Sequence, residues 1–182
     1  AVFAEHNRAA LSGIGRAGFI VPTGIATDDT TKDFFGTLVS NNELARFESY
    51  ENFGVTFAGV NNRQSFSFIV VSRSPVDAAT LCFHVNQAEA AAAGEKSFRL
   101  RAEDFAILNP NTKTCPTFRS KRDADINLSM YRRTGVLWSE QEELGNRWDL
   151  SFLRMFDMAN DSDLFHSYES VDCGKFRRAG NH

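Results

Sequence analysis

The sequence predicts an α/β fold, on three observations. Helical and strand periodicities alternate through the N-terminal half. The strand-like runs are short, β-branched and aromatic. The 182 residues are 42% apolar and include 17 Phe, enough for one hydrophobic core.

The elements follow in order. "AVFAEHNRAAL" spaces Val2, Phe3, Ala9, Ala10 and Leu11 along one face of a helix. Gly13 and Gly15 read as the cap and turn that end it and feed the strand "AGFIVP", which Pro22 stops. The spacing Gly13-x-Gly15-x-x-Gly18 is on paper a dinucleotide fingerprint. That fingerprint requires a strand entering the glycines and a helix leaving them, and here the order is reversed, so it reads as a turn.

"TGIATDDTTKDFFGTLVSNN" predicts a helix capped at Thr27 or Asp28, with Phe34, Phe35, Leu38 and Val39 as its buried stripe and Asn41-Asn42 at its end. "ARFESYENF" is a strand with Phe47 and Ser49 on one face and Arg46, Glu48 and Tyr50 on a wetter one. "SFSFIVVSRS" is a strand expected to be central or doubly covered, and antiparallel to it. Beyond Pro75, "TLCFHV" and "SFRLR" read as strands and "NQAEAAAAG" and "AEDFAIL" as helices. "RSKRDADINLSMYRRTG" predicts a helix with Ile126 and Met130 on one face. "NRWDLSFLRMFDM" reads as a strand, and Asn160, Asp161 or Ser162 caps a short helix through "DLFHSY". A composition shift near residues 74 to 90 divides the chain into residues 1–85 and 86–182.

Composition narrows the partners. A net charge of −3 gives no global attraction to nucleic acid or anionic membrane, so DNA contact needs a local patch. One exists: Lys113, Arg119, Lys121, Arg122, Arg132 and Arg133 oppose only Asp123 and Asp125, with hydroxyls at Thr114, Thr117 and Ser120. A solvated helix face accounts for the same pattern. No apolar run spans a bilayer and no leader is seen. Cys82, Cys115 and Cys173 lie far apart, which suggests reduced cytoplasmic thiols rather than a disulfide framework or a zinc knuckle. His6, His84, His166 and His182 have no ligand spacing, so no metal site is expected. Nor is any nucleophile elbow or zinc-protease motif present. "NPNT", Asn109 to Thr112, lacks the second proline and the aromatic of an amino-methyltransferase motif and reads as a Pro-initiated turn.

Taken together, "RAGFIVPTGIATDDTTKDFF", "ENFGVTFAGVNNRQSFSF", "LNPNTKTCPTFRSKRDADI", "MYRRTGVLW" and "FLRMFDMANDSDLF" resemble the long adenine-N6 DNA methyltransferases of bacterial restriction-modification systems, including the fused restriction-methylation type. The resemblance implies that the chain is the C-terminal part of a Rossmann-like methyltransferase sheet, with its last strand inserted antiparallel, followed by an α+β extension that begins the target-recognition region. It implies S-adenosylmethionine as cofactor, double-stranded DNA as substrate and a nuclease domain or subunit as partner. The donor-binding glycines and the Asn-Pro-Pro-aromatic motif are expected upstream of Ala1, so this chain carries no catalytic residue and is expected to be inactive alone. Phe57, in the turn between the two final strands, matches the aromatic that packs on the extruded adenine, with Phe53 as its rival. Ala58 stands where the family pattern has proline. Arg119, Lys121, Arg122, Arg132 and Arg133 are the expected phosphate contacts. An excised half-core also exposes sheet edge, so self-association is expected. The alternative is a non-catalytic DNA-binding or subunit-assembly module.

Overall fold

Alternating side chains become a sheet when one parity is apolar enough to need cover. In a computed structural model of the chain, which describes residues 1–53, 56–86, 96–140 and 145–167, Phe19, Ile69, Phe47, Leu81 and Phe98 are cross-strand neighbours in one continuous row. They belong to β1 (Arg16–Pro22), β3 (Ser65–Ser72), β2 (Leu44–Glu51), β4 (Ala79–Val85) and β5 (Phe98–Leu100), a mixed five-stranded sheet in the order β1-β3-β2-β4-β5. β3 lies antiparallel between β1 and β2, β4 runs parallel to β2, and β5 closes the far edge antiparallel to β4.

The apolar row is covered by helices. α1 (Val2–Ala9), a short α2 (Gly24–Thr27), α3 (Lys32–Ser40), α4 (Ala102–Leu108) and α5 (Lys121–Thr134) contribute Ala4, Ile25, Phe35, Leu38, Phe105, Ala124 and Leu128 to the same buried cluster as Phe47 and Ile69. Phe35 meets Phe47 and Phe105 edge-on, with centroids 6.2 and 6.0 Å apart. Each fully buried Phe contributes on the order of 2–3 kcal/mol. Neighbours of opposite parity, Ile20, Phe68, Glu48 and Cys82, form the other face.

Several predicted features differ. Gly13 and Gly15 do not cap α1: it ends on Ala10 in right-handed conformation, and the glycines form the following turn, closed by Gly15 N–H on the Ser12 carbonyl. The helix–turn–strand order excludes a phosphate loop there. Residues 24 to 40 are broken into helical turns, because Asp28 is extended and Asp29–Thr31 forms a 3₁₀ turn, so α3 starts after Thr31 rather than at Thr27 or Asp28. Its buried stripe is the predicted one, and Asn42 ends the run at φ 57°.

In α5 the buried stripe is Ala124 and Leu128, with Tyr131 packed beside them at i+7, while Ile126 and Met130 are about half exposed. The small Ala124 hid that stripe behind larger residues on the outer face. Glu48, expected on a wet face, is only 7% exposed.

The chain divides into two compact units, Ala1–Arg147 and Trp148–His182. The residues read as a strand, 146 to 158, form none. Phe152, Leu153, Met155 and Phe156 are exposed, and the helix expected after Asp161 is a 3₁₀ turn, Ser162–Leu164. The helix expected over 86 to 94 falls largely outside the described residues. Among the described residues no helix is long and apolar enough to cross a membrane.

Candidate nucleic-acid interface at the carboxyl end of the sheet

β1, β2 and β4 point the same way, since β3 opposes the first two and β4 runs parallel to β2. Their last residues therefore converge at one end, where Pro22, Phe66, Tyr50 and Val85 are neighbours across the sheet. Open α/β sheets bind ligands at that carboxyl end, because loops there leave the ladder without breaking it.

The β2–β3 connection supplies the first side chain. Phe57 is 38% exposed and meets Phe66 edge-on at 5.0 Å, while Phe66 stacks on Tyr50 at 5.4 Å with planes 11° apart. Tyr50 donates its hydroxyl to Glu48 at 2.8 Å, and Arg46 Nε donates to the same carboxylate at 2.7 Å. Burial and that donation push the Tyr50 phenol up to about 12, so it is a fixed donor. The loop backbone is held by Asn52, 1% exposed, whose amide bonds Phe57 and Val60. Phe53 is 64% exposed and lines a separate cavity with Glu51, Arg63 and His84.

The basic residues sort into two kinds. Arg119, Lys121 and Arg122 are exposed around Ser120, whose hydroxyl caps α5 by accepting the Asp123 N–H at 3.2 Å. They make no ion pair among the described residues. Three cations at the positive pole of a 14-residue helix are electrostatically unfavourable, and Asp123 is the one acidic residue in its first turn. Arg132 instead donates to Asp104 at 2.7 Å, and Arg133 folds back on Ser129. Asp104 also accepts the Arg101 N–H at the start of α4, so Arg132 ties α5 to that cap.

Phe57 and the basic cluster are not brought together. Phe57 packs through Phe66 on one face of the sheet, whereas α5 is anchored in the core on the other. Sequence reasoning missed Asn52, which looked like any turn Asn, and the Glu51–His84 pair, because only a bulge in β4 brings the two together.

The glycine-rich stretch is not a donor cradle. It leads into β1 rather than a helix, and a side chain at Gly15 would meet Ser12 and Leu11 at 3.1–3.3 Å. That stretch does not form a cradle that S-adenosylmethionine fits. Asn109–Thr112 forms a turn closed by Lys113 N–H on the Asn109 carbonyl, with the Asn109 amide on the Thr114 carbonyl at 2.9 Å. Its amide is thereby occupied in holding the loop.

No family model matches the chain, and a search of curated proteins finds no match.

Proposed function

We propose that the chain is part of a site-specific DNA methyltransferase that moves a methyl group from S-adenosylmethionine to adenine N6 in a restriction-modification system. One observation carries the reading: β3 is inserted antiparallel between the co-directed β1 and β2, with an exposed aromatic in the β2–β3 connection. This is the order that the resemblance implies for the last three strands of a Rossmann-like methyltransferase core.

In this reading the chain supplies the target-base side of the site. Phe57, propped by Phe66, Tyr50 and the Asn52 clamp, offers a face to the extruded adenine, where stacking is worth roughly 1–3 kcal/mol. Arg119, Lys121 and Arg122 neutralise phosphates. Because they and Phe57 belong to opposite faces of the sheet, one duplex engages both only by passing over an edge or end of it. The donor cradle comes from residues outside this chain, packed against the open edge of β1.

Labelled S-adenosylmethionine and duplex DNA test the reading. The chain joined to its donor-binding region transfers label to adenine, Phe57→Ala lowers the rate at least tenfold, and the 182-residue chain alone transfers none. Transfer that is indifferent to Phe57, or that occurs with the chain alone, contradicts it. The same open edge and cations favour a second reading, a non-catalytic DNA-binding or assembly module. It predicts salt-sensitive DNA binding and self-association with no methyl transfer in any context.

A further inference from the structure

Beside the Phe57 loop, at the carboxyl ends of β2 and β4, lies a cavity of about 390 Å³ lined by Glu51, Phe53, Asn62, Arg63 and His84. Its size falls in the ~300–1,000 Å³ range of small-ligand sites. Three observations indicate that it is built rather than incidental.

The first is His84. Between the pairs Glu48–Cys82 and Tyr50–Val85, β4 has one residue more than β2, a bulge, and His84 stands in it at φ 54°. A non-glycine residue in left-handed conformation costs roughly 1 kcal/mol, and bulges re-aim side chains near functional sites. The re-aimed imidazole meets Glu51 through Nδ1 at 3.1 Å, which leaves Nε2 for another partner. The second is Arg63. An Asn61 turn, with the Asn61 side chain accepting the Arg63 N–H at 2.9 Å, sets it at the cavity mouth, exposed and with no ion pair among the described residues. The third is Phe53, whose ring is largely exposed on the same wall.

A guanidinium fork, an imidazole held by a carboxylate and an open aromatic face together match a nucleotide: the guanidinium takes the phosphate, the imidazole Nε2 accepts from a base amine and the aromatic ring stacks on the base. Asn52 lines the cavity and also bonds the Phe57 backbone, so one side chain links the cavity to the Phe57 loop. We propose that this cavity is a second nucleotide subsite, in which Arg63 holds the phosphate next to the extruded base, Phe53 stacks the neighbouring base and His84 Nε2 accepts from that base's amine. The proposal rests on the DNA-binding reading above. It also gives Phe53 and Phe57 separate tasks.

Fluorescence anisotropy with a single-stranded dA12 probe, titrated across salt, tests it in the protein and in Arg63→Ala, His84→Asn and the double variant. Asn tolerates the left-handed backbone, so His84→Asn removes the imidazole and keeps the bulge; unchanged melting temperatures verify this. Arg63→Ala is expected to weaken binding about tenfold and to lower the log–log salt slope by about 0.7, as for one single-strand phosphate. His84→Asn weakens it several-fold, and the two losses are non-additive because they concern one bound nucleotide. Wild-type affinity in both variants, losses that simply multiply, or no dA12 binding by the unaltered protein overturns the subsite. The labelled-donor assay reports methyl transfer independently, so the subsite and the methyltransferase reading fail separately.

Discussion

The side-chain amide of Asn52 grips the backbone of Phe57 on both sides, donating to its carbonyl at 3.2 Å and accepting its N–H at 3.2 Å. It also donates to the Val60 carbonyl at 3.3 Å, and Asn52 is 1% exposed. Only an amide offers both a donor pair and an acceptor in that space. Asn52→Ala is expected to cost about 1 kcal/mol in urea denaturation, since it removes the hydrogen bonds that tie the loop to a buried amide. Asn52→Asp is expected to cost at least as much, because a carboxylate then faces two carbonyl oxygens. An unchanged denaturation midpoint in both variants shows that the loop holds its shape without the clamp.

Arg132 and Arg122 look equivalent in the sequence and are not in the structure. The Asp104 carboxylate, largely buried, takes Arg132 at 2.7 Å on one oxygen and the Arg101 N–H at 2.9 Å on the other. Arg132→Ala is therefore expected to lower stability by about 1 kcal/mol and Asp104→Ala by about 2, the second losing the cap as well. Arg122→Ala is expected to be neutral for stability and to lower the log–log salt slope of duplex binding by about one unit, which Arg132→Ala leaves unchanged. The opposite pattern in a salt titration reverses the assignment.

The sheet was legible because its parity is strong. Phe19, Phe47, Ile69 and Leu81 are large residues at alternate positions, and all five strands occur where β-branched and aromatic residues cluster. α5 was legible as a helix but not in its orientation, because Ala124 marks its buried stripe with a single methyl group. The site was less legible still. His84 and Glu51 are 33 residues apart and in different strands, and one extra residue in β4 decides whether they meet. A bulge leaves no compositional trace when its left-handed position is not glycine. Likewise, Arg132 differs from Arg119, Lys121 and Arg122 in that a carboxylate from α4 reaches it, which is tertiary information.

Both described cysteines are buried, and burial pushes both thiols up, Cys115 most strongly. A thiol that stays protonated reacts slowly even where a reagent can reach it. Iodoacetamide at pH 8 followed by peptide mass spectrometry is therefore expected to leave Cys82 and Cys115 unmodified in the native protein and to label both in urea. Native labelling of Cys115 contradicts the packing of residues 109 to 116 onto α2, which the 2.7 Å bond from Cys115 N–H to the Ala26 carbonyl anchors.

Acid should loosen the junction of α1 with the sheet. Arg8 donates to Glu5 at 2.7 Å and to the buried Glu43 at 2.6 Å, and Arg73 reaches Glu43 at 3.2 Å. The hydrogen bond from Arg8 holds the Glu5 carboxyl below its ordinary value of 4.5. A carboxyl lowered in the folded state binds its proton more readily once unfolded. Its stabilisation is therefore complete above 4.5 and is lost as pH falls through the lower folded value. Glu5 is half exposed, so solvent screening keeps this below about 1 kcal/mol. Glu5→Gln is expected to be less stable than the unaltered protein at pH 7 by that small amount and equally stable near pH 3, read from urea midpoints across the range. A gap between the two that stays constant with pH shows that Glu5 acts through packing rather than through its charge.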